Sequence, residues 1–295
     1  MISTQAGSLF CFGYGYTASS LAQRLRPRGW KIAGTLRNSD KAKQAHNVLD
    51  EVFLWPNQDN NNESKAWVFP AGITHVLLSI PPVNGQDIVY PAMIDALKKL
   101  PHLTWVGYLS TTGVYGDHLG EWVTEETPVN PPNTRTQARV QAEQSWLNSG
   151  LPTQVFRLSG IYGPGSSAFD ALLDGTARRI DKPGQVFSRI HVEDIAQTLW
   201  ASMQKPNPGR IYNLADDEPC PQHEVVAYAA SLLGMAPPPL VAFDEADLSE
   251  MARSFYQSNR RVANKRMKEE LGVDLAYPSY KDGLLAIYKQ STTPL

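Results

Sequence analysis

Residues 13–18 of this 295-residue chain read Gly13-Tyr14-Gly15-Tyr16-Thr17-Ala18, between the apolar run Leu9–Phe12 and a stretch with leucines at 21 and 25. A strand, a glycine turn and a helix start in that order can receive a pyrophosphate. Gly13 permits the tight turn, and Gly15 lets phosphate approach the backbone N–H groups at a helix N-terminus. Ala18 allows the helix to pack closely on the strand, while Tyr14, Tyr16 and Thr17 complete the phosphate-facing turn. An ordinary glycine turn shares the pattern, but the flanking elements favour a dinucleotide site.

The second apolar run ends Gly34-Thr35-Leu36-Arg37, with no acidic residue where an NAD site places one to hold the ribose 2′-hydroxyl. The Arg37 guanidinium suits a 2′-phosphate instead, because its fork pairs bidentately with phosphate oxygens and stays charged. NADP is therefore the expected cofactor, with NAD the alternative. Ser79 and Pro81 fall where a fourth strand ends in Ser79-Ile80-Pro81-Pro82, a position that a doubly wound fold brings beside the cofactor. Cys11 and Cys220 are the only cysteines and form no metal-ligand spacing, so no metal is expected.

These residues need a scaffold, and the pattern supplies one. Apolar runs at Leu9–Phe12, Ile32–Thr35, Val52–Trp55, His75–Ile80, Trp105–Leu109 and Gln154–Leu158 alternate with helix-like stretches from residues 17, 87, 135 and 193. That alternation predicts an α/β fold, a Rossmann-type doubly wound parallel sheet. Proline and glycine break up the second half, which reads as a smaller C-terminal substrate lobe. The expected division is a dinucleotide-binding domain over 1–160, with 190–215 returning to it, and a lobe of 161–189 and 216–295. Helices are predicted over Asn264–Leu271, ended by Gly272, and over Tyr280–Gln290. Asn57–Asn62 reads as an exposed low-complexity loop.

Composition excludes other classes. With 42% hydrophobic and 19% charged residues the chain can bury a sizeable core. A net charge of −2 offers no field for a nucleic-acid backbone, so nucleic acid is not an expected partner. No apolar run approaches the roughly 18 residues of a membrane span, and the N-terminus has no signal-peptide pattern. A cytoplasmic protein acting on a small molecule, with no membrane partner, is the expectation.

A longer series of motifs carries a family resemblance: Leu109-Ser110-Thr111-Thr112-Gly113-Val114-Tyr115-Gly116, Glu125-Glu126-Thr127-Pro128, Arg157-Leu158, Ile161-Tyr162-Gly163-Pro164-Gly165, His191 to Ala196 and Tyr212-Asn213-Leu214-Ala215. Together they resemble the extended short-chain dehydrogenase/reductases, the NAD(P)-dependent epimerase/dehydratase family, with a glycine motif like that of its atypical branch. The resemblance implies a Ser or Thr and a Tyr-x-x-x-Lys pair beside the nicotinamide. The tyrosine exchanges a proton, the lysine lowers its pKa and holds the ribose, and the hydroxyl positions the substrate oxygen. Thr111 falls at the Ser/Thr position. Dimerisation is what fold-level analogy implies.

The sequence departs from this pattern at the pair itself. Counting back from Glu143, which resembles the glutamate four residues after the family lysine, the two positions hold Arg135 and Arg139. Arginine has no acceptor and a pKa above about 12, so neither can shuttle a proton near neutrality. Four residues apart on one helix face, the two could grip a phosphate or carboxylate or polarise a carbonyl; a solvated basic face is the plainer alternative. Tyr115 and Tyr162 are the remaining phenols that could supply the missing acid. Asp194 is expected to cap a helix, His191 to be structural, and Arg189 to lie on the surface or meet an anionic group. Two functions fit: an NADP-dependent oxidoreductase or epimerase-like enzyme acting on a carbonyl or carbinol, and a non-catalytic NADP(H) sensor.

Overall fold

The structure is a computed structural model, and it describes residues 6–45, 48–56 and 67–292. The Asn57–Asn62 stretch lies outside them. The first half runs β1 (Ser8–Phe12), α1 (Tyr16–Leu25), β2 (Lys31–Leu36), α2 (Ser39–Ala45), β3 (Glu51–Leu54), β4 (His75–Leu78), α3 (Val89–Leu97) and β5 (Trp105–Thr111). Next come β6 (Trp122–Val123), α4 (Thr134–Leu147), β7 (Thr153–Leu158), β8 (Gly160–Tyr162), α5 (Ala168–Leu173), β9 (Arg179–Asp181), β10 (Arg189–His191), α6 (Val192–Gln204) and β11 (Ile211–Leu214). The chain ends with α7 (Gln222–Leu232), β12 (Leu240–Ala242), α8 (Glu250–Phe255), β13 (Arg261–Val262), α9 (Lys265–Leu271) and α10 (Tyr280–Thr292).

The main sheet has seven strands in the order β11-β7-β5-β4-β1-β2-β3. The pairs β1–β2, β2–β3, β1–β4 and β4–β5 are parallel, with Cys11 opposite both Gly34 and Leu77. This is the expected Rossmann-type α/β architecture. Strands buried on both faces read as continuous apolar runs, which is why β1, β4 and most of β5 were legible.

Two compact units divide the chain: residues 1–111, 133–157 and 195–212 form the first, and 112–132, 158–194 and 213–295 the second. In the first, Phe10, Phe12, Val76, Leu78, Val106, Tyr108 and Trp146 belong to one buried cluster. In the second, α5, α7 and α10 bury Phe169, Leu172, Val226, Ala230, Leu284 and Ile287 around Tyr162. The second unit also holds three short parallel pairs, β8–β10, β9–β12 and β6–β13.

Two local expectations are corrected. Asp194 lies in the first turn of α6 rather than capping it; its wholly buried carboxylate accepts from the backbone N–H groups of Ala276 and Tyr277, at 2.8 and 3.0 Å. Arg189 is buried instead of solvated, and its guanidinium donates to the carbonyls of Phe187 and Cys220, to the Cys220 sulfur and to Gln222 Oε1. His191 is buried, its Nδ1 accepting from the Glu193 N–H at 3.2 Å.

Candidate cofactor and active site

The glycine turn is held from beneath by the strand next to it. Gly13 has φ of 86°, a conformation that disfavours any side chain, and a Cβ there would sit 2.7 Å from Ile80 Cγ1. Its N–H donates to the Thr35 hydroxyl at 2.8 Å, and the Tyr14 N–H donates to the Thr35 carbonyl at 2.8 Å. One buried threonine thus fixes two successive residues of the turn. Ser79 is anchored to β1 by its N–H on the Phe12 carbonyl, at 2.9 Å, and Ser79 and Ile80 lie beside Gly13.

Gly15 has open space around it: a Cβ there would meet nothing within 4 Å. It caps α1 without a side chain to accept from the helix N–H groups, and the first turn carries no acid. Tyr16 is exposed, while Thr17 and Ala18 are buried beneath it. The cradle and a helix N-terminus with no side-chain cap and no acid in its first turn fit a dinucleotide pyrophosphate. Arg37 is exposed immediately beyond β2, next to Asn38, whose side chain accepts from the N–H groups of Asp40 and Lys41.

Thr35→Val removes the hydroxyl while keeping the shape. The unfolding free energy should fall by about 1–3 kcal/mol because the Gly13 N–H loses its acceptor. Urea unfolding measures this, and Thr35→Ser should recover most of the loss; a valine variant as stable as wild type would show that the turn does not depend on this bond.

At the end of β5, Thr111 is half-buried and Ser110 is buried. The two arginines on α4 do not act alike. Arg135 is exposed in the first turn, whereas Arg139 is half-buried, donates through Nη1 to the Leu109 carbonyl, and lies 5.9 Å from the Tyr108 ring centroid. Glu143, one turn further on, is 3% exposed and accepts from the Ser110 hydroxyl and from Arg157 Nη2, the latter at 2.7 Å.

The two candidate phenols belong to the second unit. Tyr115 is wholly buried, its hydroxyl donating to Asn213 Oδ1 at 2.7 Å. Tyr162 donates to the Ser279 carbonyl at 3.3 Å and meets the His191 ring edge to face at 5.1 Å; burial, with Asp216 and Asp194 nearby, holds its phenol well above the ordinary tyrosine value. Both side chains serve as packing and bonding groups there. Thr35, Ser110 and Arg157 were not singled out as site residues from the sequence. Thr35 stands two residues before Arg37, and Ser110 and Arg157 lie inside motifs that carry the family resemblance, but none of these positions announces its partner.

Among the described residues no cluster of His, Cys, Asp or Glu could hold a metal ion, and no helix is long and apolar enough to cross a membrane. Residues 89–215 match the model of a family described as NAD dependent epimerase/dehydratase. A solved conserved protein of unknown function from Silicibacter pomeroyi is 50% identical, covering 98% of this chain and 100% of its own, with a TM-score of 0.89. Two more distant structures share the fold. A dTDP-glucose 4,6-dehydratase from Bacillus anthracis, solved in complex with NAD, is 20% identical with a TM-score of 0.75, covering 97% of this chain and 96% of its own. A human epimerase family protein solved with NADPH is 16% identical with a TM-score of 0.73, covering 96% and 99%.

Proposed function

The chain belongs to the NAD-dependent epimerase/dehydratase family, and from that premise we propose that it is an NADP-dependent oxidoreductase or epimerase-like enzyme acting on a carbonyl or carbinol of a small or nucleotide-linked substrate. The observation that carries the reading is the Thr35-pinned turn with open space at Gly15. Gly13 to Ala18, with Ser79 and Pro81, would hold the cofactor, which supplies or accepts hydride when bound. Thr111 would orient the substrate oxygen from the end of β5. With arginine at 135 and 139, the proton would come from water or from the substrate itself. Turnover of NADPH across a panel of carbonyl compounds and nucleotide sugars tests the activity; binding without any oxidation would refute it.

Arg37 is proposed to meet the 2′-phosphate, and this reading rests on its exposed place beyond β2 and on the missing acid. Arg37→Asp should lower NADPH affinity by about 1–3 kcal/mol, roughly 5- to 150-fold, and leave NADH binding nearly unchanged. Calorimetric titration with both cofactors decides it, and equal loss for the two would remove the 2′-phosphate role.

A second reading, a non-catalytic NADP(H) sensor, is favoured by the engaged hydroxyls of Tyr115 and Tyr162, which leave both phenols occupied within their own unit. It requires NADP+ and NADPH to bind with different affinities and to shift a partner's binding reciprocally. Identical affinities would exclude it.

A further inference from the structure

The absence of a Tyr-x-x-x-Lys pair leaves α4 with a different task, and the bonds it makes indicate what that is. Arg139 and Glu143 stand one helical turn apart and hold successive residues of β5: Arg139 the carbonyl of Leu109, Glu143 the hydroxyl of Ser110. Behind them Arg157, on β7, grips Glu143 with Nη2 at 2.7 Å and Nε at 3.2 and 3.3 Å from its two carboxylate oxygens. Ser110, Glu143 and Arg157 are 4%, 3% and 4% exposed, so the charges sit out of water in fixed geometry. The next residue along the strand from Ser110 is Thr111.

We propose that Ser110, Glu143 and Arg157 form a positioning relay that sets the orientation of Thr111. Glu143 is the pivot: Arg157 fixes its carboxylate, and the carboxylate fixes the Ser110 hydroxyl and the strand end that carries Thr111. A charge-assisted hydrogen bond to a buried carboxylate is directional, and so well suited to holding a strand terminus. The inference rests on the reading of Thr111 as the hydroxyl beside the nicotinamide, and the test separates the two.

Ser110→Ala removes one hydroxyl and leaves the Glu143–Arg157 pair intact, which makes it a gentler change than any at Glu143. The probe is the fluorescence of NADPH bound to the full chain, whose yield and lifetime respond to groups next to the ring whether or not any substrate turns over. Thr111→Val should change that lifetime; Ser110→Ala should change it in the same direction, Ser110→Thr should restore it, and Ser110→Ala should add nothing on a Thr111→Val background. Thermal unfolding checks that each variant is folded. A lifetime shift in Thr111→Val with none in a folded Ser110→Ala overturns the relay while Thr111 keeps its role. No shift in either variant, or no NADPH binding by the wild-type chain, overturns the Thr111 reading and the relay with it. Additive shifts in the double variant also overturn the relay, since they make the two residues independent.

Discussion

Glu143→Ala is expected to destabilise the protein by about 3–5 kcal/mol, a large share of the stability of an ordinary domain. The carboxylate and the Arg157 guanidinium have side chains only 3% and 5% exposed, and they meet at 2.7 Å. An ion pair that far from water is expensive to assemble, and the attraction between the partners roughly offsets the desolvation of both. Removing one partner leaves the other charge desolvated with its principal counter-charge gone, so nearly the whole penalty appears. The Ser110 hydroxyl loses its acceptor in the same step.

The same reasoning makes the double variant informative. Glu143→Leu with Arg157→Leu replaces both charges by apolar groups, so no buried charge is stranded. It should recover most of the stability lost by Glu143→Ala, and the coupling between the sites should exceed about 1 kcal/mol. Urea unfolding at neutral pH provides both numbers. A loss below about 1 kcal/mol in the single variant would mean that water reaches Arg157 and that the pair is not the pivot described above.

The fold was readable because its information is local and repeated. Strands such as β1 and β4 are apolar on both faces, and the turn from Gly13 to Ala18 announces itself through residues whose backbone freedom or small size is required. What stayed hidden depends on partners far along the chain. Thr35 looks like any strand threonine until the parallel register of β1 and β2 brings its hydroxyl beneath Gly13, 22 residues away. Asp194 has the composition of a helix cap, yet its acceptors serve N–H groups 82 and 83 residues later. Arg189 reads as a surface cation because nothing nearby in sequence shows that Phe187, Cys220 and Gln222 converge on it. The short pair β6–β13 gives no periodic signal at all, being two residues wide and joined across more than a hundred.

Asp216 carries the other large effect. It is 1% exposed and follows β11; among the described residues, one of its carboxylate oxygens accepts from the Glu218 N–H at 3.3 Å and the other has no hydrogen-bond partner. Burial pushes its pKa up to about 7 from the ordinary 3.8, against the pull of the Arg189 guanidinium. A carboxyl group that holds its proton more tightly when folded takes up protons on folding, so raising the pH weakens the fold. The penalty is absent below about pH 4, grows between pH 4 and 7, and is complete above 7. Asp216→Asn keeps the shape and the acceptor for Glu218 but cannot ionise. The variant should lie close to wild type near pH 4 and exceed it by on the order of 4 kcal/mol at pH 8. His75 and His191, each pushed down to about 4 by burial, act with the opposite sign between about pH 6.5 and 4, but they are common to both proteins and cancel in the difference. Denaturant unfolding at four pH values therefore isolates this one carboxyl. Stability curves that stay parallel from pH 5 to 8 would mean that Asp216 is ionised and compensated throughout, with Arg189 as the group that compensates it.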